Sequence, residues 1–217
     1  MFIALVLVFV SCGGSGAEET TTTSPATFPT AVVRDWLDAV ASGDLVTIGS
    51  SVDETSAVIV IAAENDYSVG ELGALLDGGL SEGVASTYWG SFEDSFREFR
   101  GISLASLVVG DFEMLDVDGG EYAAVRLIST EGSTDIVALR GEDGQWRIDM
   151  VATFGPALIR LLRAMLDDAA SDPNGALVRS GFSRAVLPGL EAAIELDRED
   201  TLLQSQLGAM RVLVGDQ

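Results

Sequence analysis

Four short segments constrain this chain most: Ser106–Val117, Tyr122–Ser129, Asp135–Arg140 and Trp146–Val151 alternate apolar and polar residues with many β-branched side chains. They are separated by DGGE, EGS and GEDGQ, and Asp-Gly between alternating runs is the strongest short signal for a tight hairpin. Sequential strands joined this way make an antiparallel meander, and such a sheet needs helices to cover its apolar face. The flanking sequence supplies them. Val33, Trp36, Leu37 and Val40 form the stripe of an amphipathic helix in Thr30–Ser42, with Thr30 as N-cap and Gly43 as stop. Val84, Tyr88, Phe92, Phe96 and Phe99 form an aromatic-rich helical row within Ser81–Arg100, and Ser68–Leu76 reads as a further helix. Ala57–Ala63 is an apolar run that fits either a buried helix or a strand. The expected class is α+β.

Beyond the meander, Leu158, Leu161, Leu162, Met165 and Leu166 form another helical stripe. Phe182, Val186, Leu190, Ala193 and Ile194 form a second, which Pro188-Gly189 should break or kink, and Leu203, Leu207 and Met210 a third. These helices either cover the sheet or form a small subdomain. Arg163 and Asp167 stand four apart, as in a helix-surface ion pair.

Composition removes several kinds of chemistry. The chain has 34 acidic and 12 basic residues, a formal charge of −22, no histidine, and arginine as its only base. Without histidine there is no imidazole metal ligand and no Ser-His-Asp arrangement. So acidic a chain does not meet a phosphate backbone, so no nucleic-acid partner is expected, and an anionic bilayer repels it.

The N-terminus offers another route to a membrane. Phe2–Val10 is an apolar run too short to span a bilayer but of the length of a signal-peptide core. Phe9-Val10-Ser11-Cys12 then resembles a bacterial lipobox: two apolar residues, a small residue and the only cysteine. The resemblance implies that residues 1–11 are removed and that Cys12 carries a diacylglyceryl anchor. Two acyl chains satisfy the requirement for stable anchoring without a basic patch, and a lone cysteine in an exported chain has no internal partner. Residues 12–29 then hold the lipidated cysteine and a Gly-, Ser-, Thr- and Pro-rich tether with a coil span of roughly 20–25 Å from Gly13 to Pro29.

The opening VVRDWLDAVASGD and the closing GEDGQWRIDM together resemble the NTF2-like, cystatin-like class found in many bacterial envelope lipoproteins. The resemblance covers residues 30–152 and implies a bent sheet wrapped around helices, with residues 153–217 as a C-terminal helical extension. That class includes enzymes and inert domains alike, so it fixes no activity. In that class Trp36, Tyr88 and Trp89, aromatics on two helices beneath a curved sheet, would line a pocket for an apolar ligand, and core packing explains the same residues at least as well.

Asp116–Glu121 carries clustered carboxylates, but the spacing of a calcium loop is missing, and the stretch reads as a hairpin turn. Acid–base chemistry without histidine needs a buried carboxylate and a tyrosine; Asp35, Asp38 and Asp149, with Tyr88 or Tyr122, are the candidates. Alternation in WRIDM puts Asp149 beside Arg147, on the face opposite Trp146, Ile148 and Met150, and therefore in water.

The reading that follows is an extracytoplasmic, lipid-anchored envelope protein that binds a protein or an apolar small ligand, with no catalytic residue, cofactor or metal ligand assigned. The alternative is a small-molecule enzyme working by carboxylate and tyrosine chemistry in the cone pocket. Cys12→Ser should shift the protein from the membrane to the soluble fraction; unchanged fractionation would refute the anchor.

Overall fold

A computed structural model describes residues 28–215. Cys12, the signal segment and most of the tether lie outside the described residues. The described chain is α+β: α1 (Pro29–Ser42), α2 (Leu45–Ser51), α3 (Glu54–Glu64), α4 (Val69–Gly78) and α5 (Glu82–Arg100) precede a four-stranded antiparallel sheet. Its strands, β1 (Val108–Leu115), β2 (Glu121–Ile128), β3 (Ser133–Arg140) and β4 (Trp146–Ile148), lie in sequence order as a meander. Then follow α6 (Met150–Ser171), α7 (Ala176–Gly181), a π-helical stretch (Phe182–Val186), α8 (Leu187–Leu196) and α9 (Thr201–Val214).

Local chemistry sets the boundaries. In α1 the helix opens one residue earlier than Thr30, because Pro29 occupies the first turn, where its missing N–H costs nothing, and Phe28 is the N-cap. The helix ends at Gly43, whose left-handed φ of 70° lets its N–H reach the carbonyls of Ala39 and Val40. The ambiguous run Ala57–Ala63 is helical, capped by Asp53 and wholly buried. Its β-branched side chains are tolerated in a helix because packing on every side outweighs their weak helix propensity. Ser68 and Glu71 close a capping box on α4.

Alternation fills both faces of the sheet. Ala123, Val125, Leu127, Ile136, Ala138 and Ile148 join the main core with Val33 and Trp36 of α1. Tyr122, Ala124 and Val137 turn to the opposite face and pack on Ala152 of α6 and Ala192 of α8. The C-terminal helices therefore cover the sheet's second face, and the main core runs without interruption from Val32 to Met210. The boundary expected at residue 152 falls inside the first turn of α6.

Two expectations are corrected here. Of the break or kink expected at Pro188-Gly189, the break does not form. Helix runs continuously from Ala176 to Leu196, and the Leu187 N–H bonds the Phe182 carbonyl five residues back. The wider π turn relaxes the segment where the Pro188 ring would otherwise press on the Arg184 carbonyl. Gly189 then permits close approach: a Cβ there would lie 3.1 Å from Val151 and 3.2 Å from the Asp149 carboxylate.

The second correction is Asp149 itself, which is 1% exposed rather than solvated. Strand β4 stops at Ile148, and Asp149 is the N-cap of α6, accepting from the Ala152 N–H at 2.9 Å. Around it lies a closed set of hydrogen bonds. The Asp149 N–H donates to the Val137 carbonyl (2.9 Å), and the Thr153 hydroxyl donates to the Asp149 carbonyl (2.8 Å) while accepting from the Val137 N–H (3.0 Å). On the other side the Asp53 N–H donates to the Ile148 carbonyl (2.8 Å). The Ser56 hydroxyl donates to the Asp53 carbonyl (3.0 Å) and accepts from the Met150 N–H (3.1 Å).

Burial pushes the Asp149 carboxyl up to about 7, with the Asp53 charge adding to the rise and hydrogen bonds from Ala152, Val151 and Tyr122 opposing it. A raised pKa in the folded state stabilises the fold below the unfolded carboxyl's pKa, and that contribution is lost as pH rises toward 7. Asp149→Asn keeps a capping side chain but carries no titrating proton. Between pH 5 and pH 8 its urea stability relative to wild type should therefore rise by about 2–3 kcal/mol. A constant difference across that range would show that Asp149 is ionised in the fold.

Candidate functional site

The aromatic row of α5 builds an open cleft. Ser81 caps the helix through the Val84 N–H, and Tyr88, Phe92, Phe96 and Phe99 then recur at steps of four, four and three along one side. That side faces the C-terminal end of α3 and the first turns of α6, leaving an open cleft of about 520 Å³. Ile61 and Glu64 come from α3, Asn65 is its C-cap, Phe154 comes from α6, and Tyr67 from the turn after α3.

Behind the cleft the rings form a continuous seam. Trp36 stands edge-on to Phe92 at 5.6 Å and to Trp89 at 6.4 Å. Trp89 lies 5.0 Å from Phe92 and 5.1 Å from Tyr88, and Phe154 stands edge-on to Phe92 at 5.9 Å. Edge-to-face and tilted pairs at these distances stabilise beyond simple burial, by about 0.5–1.5 kcal/mol each. Of the three pocket residues expected from sequence, Tyr88 lines the cleft. Trp36 and Trp89 are buried behind it, supporting its floor through Phe92. The space between α1 and the sheet is packed with core side chains.

The two ends of the cleft differ electrically. At one end the Glu64 carboxyl faces the Tyr88 hydroxyl; desolvation raises the carboxyl's pKa, and the hydrogen bond from Tyr88 opposes the rise. Glu64 nevertheless remains on the exposed rim, so water screens it and the pair counts as an orienting contact rather than a source of stability. Tyr88 is pushed well above the usual phenol range, first by burial and then by the Glu64 charge, so its hydroxyl stays protonated and acts as a donor.

At the other end Arg100 closes α5. Its guanidinium carbon lies 5.2 Å from the Phe99 ring centroid and 5.8 Å from that of Phe154, and Nη2 donates to the Thr153 carbonyl at 3.1 Å. That bond ties α5 to the turn capped by Asp149.

Sequence reasoning missed Glu64, Tyr67 and Phe154 as lining residues. The signal was present: once Ala57–Ala63 is read as helix, Ile61, Glu64 and Asn65 stand three and four apart on one face. The carboxylate candidates lie elsewhere. Asp149 has no place in the cleft lining, Asp35 and Asp38 are on α1, and Tyr122 packs on the sheet's far face, its hydroxyl directed to Asp149. Asp116–Gly120 forms the β1–β2 turn. Among the described residues no cluster of three or more His, Cys, Asp or Glu side chains is arranged to hold a metal ion, and no helix is long and apolar enough to cross a membrane. The ion pair between Arg163 and Asp167 is present at 2.9 Å.

No family model matches the chain, and none of the curated proteins or solved structures matches it either.

Because burial holds the Tyr88 proton, alkaline titration followed by phenolate absorbance should lose amplitude in Tyr88→Phe only from the step that accompanies unfolding. A loss of amplitude in an earlier step would contradict the buried donor.

Proposed function

We propose that this is an exported, lipid-anchored envelope protein whose folded domain, NTF2-like in its α1-plus-meander portion, binds a small apolar molecule in the cleft between α3, α5 and α6. The observation that carries the binding role is the cleft: about 520 Å³, open, floored by aromatic side chains and edged by a few polar groups, the usual make-up of a small-ligand site. Support for the NTF2-like reading is the pairing of the WLDAVASGD helix with a meander that ends in QWRI, the helix packing on the sheet through Val33 and Trp36. Support for the anchor is the lipobox-like placement of Cys12, together with a charge of −22 that leaves electrostatics no means of holding an anionic membrane.

One observation favours the enzymatic alternative: Glu64 and Tyr88 set a carboxyl against a phenol in an aromatic cleft. The same electrostatics weaken it. A phenol pushed far above neutrality neither gives up its proton readily nor serves as a base at physiological pH. Binding is therefore the better reading.

A neutral fluorescent apolar probe such as N-phenyl-1-naphthylamine tests it. The probe should bind wild type, and Ser91→Trp, which places a large ring in the cleft, should weaken binding by about tenfold or more. Ser86→Trp, on the exposed surface of α5 outside the cleft lining, should leave binding unchanged. Equal binding to all three proteins would remove the cleft from the function.

A further inference from the structure

We infer that the ligand of the α3–α5–α6 cleft is a cationic amphiphile, an alkyl or aryl ammonium, seated with its charged head against the Glu64 carboxylate beside the Tyr88 ring and its apolar body along Phe92, Phe96 and Phe154. The inference rests on the cleft being a small-molecule site and adds the chemical class of what enters it.

The lining residues include six aromatic side chains and one ionisable acid, Glu64, with no arginine to neutralise it. A neutral ligand covering that rim would strip water from a carboxylate and leave it unpaired, which is unfavourable; an ammonium head replaces the lost water with an opposite charge. Aromatic faces carry negative potential and attract cations, most strongly when desolvated. Tyr67 and Tyr88 lie at the Glu64 end, so carboxylate and ring faces act together there.

The opposite end gives the orientation. Phe99 and Phe154 already hold the Arg100 guanidinium, which shows that these rings accept a cation and also repels a second one from that end. The head is thereby directed to Glu64, and the body to the span between. At long range, 34 acids against 12 bases draw cations toward the surface and keep fatty acids and other anionic amphiphiles away.

Three probes of equal chain length separate charge from apolarity: octyltrimethylammonium, octanol and octanoate, each measured by calorimetry or by displacement of the naphthylamine probe. At an ionic strength of about 0.15 M, where distant charges are largely screened, the ammonium should bind about tenfold tighter than octanol, and octanoate weakest. Glu64→Gln, which removes the charge while keeping the side chain's size, should bring the ammonium to within about twofold of octanol. The inference is overturned if wild type shows no preference for the ammonium, or if the preference survives in Glu64→Gln, which would assign it to the general charge of the protein. Octanol binding without such a preference would leave the cleft reading standing and remove only the cation. Failure of every probe to bind would remove both.

Discussion

The junction at Ile148–Met150 is where the sheet, the central helix and the longest helix are fixed to one another. A strand ends and a helix begins within two residues, so the backbone groups of both ends need partners where water cannot reach. Asp149 caps α6, Asp53 caps α3, and Ser56 and Thr153 each both donate and accept across the gap. Ser56, Asp149 and Thr153 are three of only four buried polar residues among the described ones. Buried polar sets of this kind favour the fold only when every member is satisfied, and here the main-chain bonds close the circuit.

The cleft follows from that junction. Its walls are the far end of α3 and the near end of α6, whose N-termini the junction holds together, and α5 is fastened to the same place by the Arg100 bond to Thr153. Aromatic edges then fill the space behind, from Trp36 through Phe92 to Phe154, so the floor has little freedom to collapse. A packed frame behind an open aromatic side would reduce the ordering cost of binding the proposed ligand.

Much of this was legible in the sequence, and the failures have physical causes. The meander could be read because Asp-Gly turns and period-two alternation point the same way, and α5 because its aromatics repeat with the helical period. Ala57–Ala63 was ambiguous because a helix buried on all sides has no polar stripe to show its period. Asp149 was misplaced because alternation in Trp146–Ile148 continues by chance into Asp149-Met150, so a capping residue looked like the solvent face of a strand. With the strand drawn too long, the start of α6 was hidden, and with it Phe154. Trp36 and Trp89 read as pocket residues for the same reason they are core: a large aromatic on an apolar face fits both until the opposing elements are known.

The central claim is that the Asp149–Ser56 junction is the rigid frame on which the cleft is built. Native-state hydrogen exchange at the Ala57, Met150 and Ala152 amides tests it most directly. The account predicts that these protons exchange only through global unfolding, with opening free energies equal to the stability from denaturant melts. Exchange through a local opening, at a free energy well below that stability, would contradict it.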